Sequence, residues 1–176
     1  MNRSHFYLVS AAVLAAPSAV HATVYMTPEQ AGAAMFPGEM LRPSFRELTP
    51  GQVTEIKRAA GEAPLSKDLH AWRASGGGWL IVDRVVGKHE FITFALALDT
   101  SGAVKGIEIL DYRESYGSQV RDARWRAQFT GKRAGQSLQL GREVKNISGA
   151  TLSSKHVTDG VRRLLATYAI VLAHAS

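Results

Sequence analysis

The sequence predicts an α+β domain: an antiparallel β-sheet with packed helices and a long C-terminal helix bearing the candidate site at its N-terminus. Three observations lead there. Two early segments carry helix-start signals, the middle of the chain alternates β-rich runs with short turns, and the last segment repeats apolar residues at helical spacing. The chain has 176 residues, 45% of them hydrophobic and 20% charged, the balance of a globular domain with a core.

The first 22 residues read as a leader rather than as part of the fold. Arg3 and His5 precede an apolar run from Phe6 to Val20, and Val20-His21-Ala22 suits signal peptidase, with cleavage after Ala22. The run is shorter than the roughly 20 residues that a spanning helix needs, and Pro17 interrupts it. A periplasmic or otherwise exported protein is the expectation. The chain has no cysteine, which excludes disulfides, thiolate metal sites, cysteine nucleophiles and thioether haem attachment. The net charge of +6 is spread along the chain, apart from a run between Arg121 and Arg133, so it reads as a solvated surface and not as a nucleic-acid interface.

Each element follows from local chemistry. Thr27-Pro28-Glu29-Gln30 and Thr49-Pro50-Gly51-Gln52 place Thr at a cap, Pro at the first helical position and Gln three residues after the Thr. The first helix is expected to stop before Pro37-Gly38 and the second near Gly61. Leu69 to Ala74 is expected as an edge strand. Trp79–Val86, His89–Asp99 and Ala103–Tyr112 then form a meander, with two-residue Gly87-Lys88 and Thr100-Ser101-Gly102 as its turns. Ser118 to Phe129 suits a short helix with Val120, Ala123, Trp125 and Ala127 turned inward. Gly131 to Asn146 reads as loop, with a short strand at Ser137–Leu140. Val157, Val161, Leu164, Leu165, Tyr168, Val171 and Leu172 form one helical stripe, and Arg162 and Arg163 fall outside it.

That last helix starts close to Ser148-Gly149-Ala150-Thr151-Leu152-Ser153-Ser154. The first N–H groups of a helix lack intrahelical partners and the dipole is positive there, so a phosphate is stabilised. Gly149 and Ala150 let another molecule approach the backbone. Thr151 supplies a hydroxyl, and Ser153, Ser154 and Lys155 add donors. On these residues alone, Ser148 or Thr151 capping the helix is the competing explanation.

The segment Ile147-Ser148-Gly149-Ala150-Thr151-Leu152-Ser153-Ser154 resembles the attachment motif of the FMN-binding domain family, which includes the C subunit of the sodium-pumping quinone reductase and the G subunit of the Rnf complex. The resemblance runs from about Gly77 to Ala173. It implies FMN held covalently by a phosphoester to Thr151, placed there from FAD by a separate flavin transferase with magnesium. It also implies a flavoprotein (and formally a phosphoprotein) that transfers electrons and is not a complete enzyme by itself. Its redox partners would be membrane-bound or exported, such as a cytochrome or a quinone-linked reductase.

Two places depart from the family pattern. Lys145 stands where the family has an Asp, six residues before the attachment residue. Glu114-Ser115-Tyr116-Gly117 stands where the family often has Glu-Thr-Pro-Gly, keeping Glu114 and Gly117. On this reading residues 1–22 are a cleaved signal peptide, 23–75 an N-terminal helical segment and 76–176 the FMN-binding domain.

An isoalloxazine ring needs an apolar or aromatic wall, and Tyr112, Tyr116, Trp125 and Phe129 are the candidates by position, with Tyr116 preferred. His70, His89, His156 and His174 are scattered without metal-ligand spacing. His156 either reaches the phosphate or lies on the solvent face. Asp83 and Glu108 are expected on an exposed sheet face. There is no Gly-x-Ser-x-Gly elbow and no phosphate-binding P-loop. Two other functions fit the residues: a non-covalent module for a phosphorylated small molecule, and a ligand-free structural or assembly protein.

Overall fold

A computed structural model describes residues 23–114 and 116–174. The leader, including Pro17 and the cleavage site after Ala22, and Ser115 of the Glu114–Gly117 loop lie outside the described residues. In chain order the elements are β1 (Thr23–Val24), α1 (Pro28–Met35), β2 (Leu41–Pro43), β3 (Arg46–Glu47), α2 (Pro50–Ala60) and β4 (Asp68–Ala74). These are followed by β5 (Trp79–Val86), β6 (Phe91–Leu98), β7 (Val104–Tyr112), α3 (Ala123–Arg126) and α4 (Thr151–Thr167). A π-helical turn, Tyr168–Leu172, extends α4. Among the described residues no helix is long and apolar enough to cross a membrane.

The sheet is antiparallel throughout, in the order β1-β7-β6-β5-β4-β2, with β3 also paired to β4. β6 explains why the core has two unequal halves. Its large residues, Ile92, Phe94, Leu96 and Leu98, join the cluster built with Val157, Val161, Leu164 and Leu165 of α4 and with Ile56 and Ala60 of α2. Its alternate residues, Ala95 and Ala97, join Ala31 of α1, Phe36, Leu80 and Leu110 on the other face. The fold is therefore α+β, with α2 and α4 covering one face and α1 the other.

Both helix starts behave as their sequences predict. Thr27 and Thr49 each accept from the N–H of the Gln three residues on at 3.2 Å, and each Gln side chain accepts the Thr N–H in return. α2 ends on Gly61 at φ +84°, and α1 ends at Met35, before Pro37.

Several expectations are corrected. β4 is not an edge strand: β2 pairs Leu41 with Ala74, and β3 pairs Arg46 with Leu69 along the same side. Those segments are short, polar and interrupted by Pro43, so they carry no strand pattern. Together with β1 and β4 they mean that residues 23–75 contribute strands as well as two helices, all joined to the sheet that continues through β7.

The β5–β6 connection is a four-residue loop, Gly87–Glu90, and not the expected two-residue turn. The Glu114 carboxylate holds it open by accepting the N–H groups of His89 at 2.5 Å and Glu90 at 2.9 Å. A Cβ at Gly87 would stand 2.5 Å from Glu114 Oε1 and 3.0 Å from the Glu90 carbonyl oxygen, so a larger residue there would displace the carboxylate from the loop. Ser118–Phe129 is not one helix but α3 between two 3-10 turns. The extended ψ of 122° at Asp122 resets the phase, so Val120, Trp125 and Phe129 are buried while Ala123 and Ala127 are exposed. Ser137–Leu140 forms only an isolated bridge between Leu140 and Val144.

The sheet carboxylates are not simply exposed. Arg163, 2% exposed, reaches Asp83 at 2.8 Å and Glu62 at 2.5 Å, and Arg126 pairs with Glu108.

Candidate functional site

The segment leading into α4 is fixed before it reaches the motif. The Lys145 N–H donates to Gln128 Oε1 at 2.9 Å, and its carbonyl accepts from Trp125 Nε1 at 2.7 Å. Gln128 Nε2 closes the arrangement by donating to the Trp125 carbonyl at 3.0 Å. Ile147 to Ala150 then form a turn, with the Ala150 N–H donating to the Ile147 carbonyl at 3.0 Å. Gly149 is its third residue at φ +80°, the left-handed region that an L side chain resists. A Cβ at Gly149 would have nothing within 4 Å, so the approach to the turn is open.

α4 begins at Thr151 with Ala150 as its N-cap, and no side chain caps it. The capping explanation for Ser148 or Thr151 therefore finds no bond. Thr151 is exposed, and its Oγ accepts from Asn146 Nδ2 at 3.0 Å. Ser148 and Gly149 are exposed beside it, and Leu152 is half exposed, while Ala150 is buried. Ser153 and Ser154 turn inward: Ser154 Oγ donates to the Ala150 carbonyl at 2.9 Å, and Ser153 Oγ lies 3.0 Å from the Tyr112 hydroxyl. Lys155 is engaged with Asp159 at 2.6 Å.

Tyr112 joins three pieces of the site. It ends β7, donates to the Tyr116 carbonyl and meets Ser153 on α4. Burial pushes its hydroxyl above the usual tyrosine pKa, with the Ser153 hydrogen bond pulling the other way, so it remains a protonated donor at neutral pH. Gly117, at φ +97°, fits beneath this contact; a Cβ there would stand 2.5 Å from the Tyr112 hydroxyl and 2.6 Å from Ser153 Oγ. The structure thus brings Gly117 against Ser153 at the start of α4 and ties the Tyr116 carbonyl to that contact through the Tyr112 hydroxyl. Glu114 is directed to the β5–β6 loop instead.

Beside the motif lies a cleft of about 520 Å³, lined by Gln119, Asp122, Arg124, Trp125, Gln128, Lys145 and Ile147. The four aromatic candidates separate clearly. Trp125 is a buried core residue that also lines the cleft, Tyr112 and Phe129 are core residues, and Tyr116 stands 84% exposed. His156 is half-buried rather than on the solvent face, and lines a separate cavity of about 170 Å³ with Glu62, Val85 and Arg163.

Asn146, which contacts Thr151, and Gln119, which lines the cleft, are brought to the site by the structure and not by sequence pattern. Asn146 stands out only through its contact with Thr151, which the intervening turn makes possible. An open left-handed turn, an exposed hydroxyl on an uncapped helix end and an adjoining cleft of small-molecule size are compatible with a phosphorylated, ring-bearing ligand. The family model described as the FMN-binding domain matches residues 87–166, from the β5–β6 loop to near the end of α4. No curated protein matches the chain.

Proposed function

We propose that this chain, whose residues 87–166 belong to the FMN-binding domain family, carries FMN covalently through a phosphoester to Thr151 and passes electrons between partners outside the cytoplasm. The observation that carries the reading is the placement of Thr151. Its exposed hydroxyl sits on an uncapped helix N-terminus, directly after the open turn at Gly149. The same helix end offers N–H donors and a positive dipole to the phosphate.

Attachment needs FAD and a flavin transferase. Thr151 Oγ attacks the flavin-side phosphorus, the anhydride bond to the AMP phosphate breaks, and AMP leaves with the bonding electrons. The hydroxyl proton passes to base, and no oxidation state changes. Among the chain's own residues, the turn exposes the hydroxyl, Tyr112 and Ser153 lock the neighbouring loop to α4, and Trp125 offers a wall in the adjoining cleft. The bound isoalloxazine supplies the electron chemistry, while the protein supplies attachment and orientation. The leader read in residues 1–22 supports export to the periplasm, where a covalent tether keeps the cofactor from being lost. The partners on this reading are the transferase during maturation and, afterwards, a membrane or exported redox protein such as a cytochrome or quinone-linked reductase.

The test is co-expression with an active flavin transferase, followed by electrophoresis under denaturing conditions. The parent chain and Thr151→Ser are expected to keep flavin fluorescence in the protein band, because both retain the hydroxyl, and Thr151→Ala is expected to lose it. Yellow protein that releases all its flavin on denaturation would favour the non-covalent module.

A further inference from the structure

Thr151 is unlike the other helical threonines. Thr54, Thr158 and Thr167 turn their hydroxyls back onto the carbonyls of Pro50, Ser154 and Arg163, four residues earlier, at 2.7–2.9 Å. In each the hydroxyl proton is committed to the helix backbone. The Thr151 oxygen instead accepts from Asn146 Nδ2 at 3.0 Å. Its hydroxyl is therefore held from outside the helix.

The backbone on either side of Asn146 is anchored. The residue before it is bonded at both its N–H and its carbonyl, by Gln128 at 2.9 Å and Trp125 at 2.7 Å. The turn that follows is closed by the 3.0 Å bond from Ala150 to Ile147. Between these two anchors the side-chain amide has a fixed origin, and the turn carries Thr151 back to meet it.

We propose that Asn146 is the positioning residue for esterification at Thr151: its amide N–H aims the Thr151 oxygen outward and stabilises the charge that builds on it. The inference rests on the covalent reading above. A donor to Oγ selects one arrangement of a side chain that would otherwise rotate toward the backbone. It also leaves the hydroxyl proton free to be removed. As the proton leaves and the bond to phosphorus forms, negative charge develops on Oγ and then on the phosphoryl oxygens, and a fixed N–H is complementary to both.

The experiment is flavin incorporation into the full chain by purified transferase with FAD and magnesium, read as rate against acceptor-protein concentration. Parent, Asn146→Ala and the near-isosteric Asn146→Asp are compared, with thermal melting as the check on folding. Both variants are expected to melt like the parent and to show kcat about tenfold lower, the scale of one hydrogen bond, with KM for the acceptor unchanged. Asn146→Asp is the discriminating variant, because it keeps the shape and removes the donor. Incorporation by Asn146→Asp at the parental rate or faster overturns the proposal, as does a raised KM with unchanged kcat. If the parent itself takes up no flavin under active transferase, the covalent reading falls and this inference falls with it; slow variants on a normally loaded parent isolate Asn146.

Discussion

At the scale of single residues, the site depends on positions whose reasons lie in three dimensions. Gly117 combines a positive φ with a contact that leaves no room for a Cβ between Tyr112 and Ser153. Gly117→Ala is therefore expected to cost about 1–3 kcal/mol, measured by urea unfolding. A cost near zero would mean that the loop is not locked to α4. Lys145 places a positive charge at the cleft where the resemblance expects a carboxylate. Lys145→Asp is expected to raise the initial rate of flavin incorporation several-fold over the parent in the transferase assay, and an unchanged rate would show that this position does not govern recognition.

Glu114 gives a pH prediction. Burial opposes its ionisation, but the N–H groups of Glu90, His89 and Lys88 outweigh burial and hold its carboxyl below the ordinary 4.5. A carboxylate depressed on folding stabilises the folded state above its ordinary pKa, and that contribution is lost as pH falls through the depressed value. Hydrogen-exchange protection of the His89 and Glu90 amides is expected to stay level from neutral pH to about 4.5 and to fall below it. Glu114→Gln should show reduced protection at neutral pH.

At the scale of elements, what was legible in the sequence was local chemistry. The two capping boxes lie within four residues each, and every partner is visible in the string. The strands β5, β6 and β7 were readable from their β-branched runs, and α4 from its apolar stripe. Elements that depend on distant partners were not. The β5–β6 loop is widened by Glu114, 24 residues away from Glu90, and no rule for adjacent residues anticipates that. Arg163 falls outside the apolar stripe, so periodicity assigns it to solvent. In fact it is buried because Asp83, 80 residues earlier, and Glu62 receive it.

This ion pair makes a prediction for α4. Arg163→Leu leaves Asp83 without its partner beneath the helix and is expected to destabilise the protein by about 3 kcal/mol, the lower end for a broken buried pair. Glu62, more than a third exposed, can return to water and limits the loss. Gly160 sets the distance of the same helix from the sheet. A Cβ there would meet Val85 Cγ1 at 2.6 Å and the Phe94 ring at 3.0 Å. Gly160→Ala is expected to cost about 1–3 kcal/mol through overpacking, against the gain in helix propensity. Thermal melting distinguishes that from the net stabilisation a loosely packed helix would show.

At the scale of the whole molecule, the α+β class followed from the sequence, because sheet and helix patterns occupy separate stretches of chain. The full width of the sheet did not follow, since β1, β2 and β3 are two or three residues long and owe their pairing to β7 and β4. The position of the candidate site was legible as a loop-to-helix junction, and its motif residues were readable one by one. The arrangement around them was not: the inward turn of Ser153 and Ser154, the diversion of Glu114 to the hairpin, and the clamp of Trp125 and Gln128 on Lys145 all depend on tertiary packing.

The architecture gathers the end of β7, the segment around α3 and the start of α4 at one place, where Thr151 faces outward next to the cleft. The central claim is that this hydroxyl carries the flavin. Intact-mass measurement of the chain purified after co-expression with an active flavin transferase tests it most directly. A single mass increment of FMN less one water on the parent, absent from Thr151→Ala, is the predicted result. An unmodified parent, or an adduct that persists in Thr151→Ala, would contradict it.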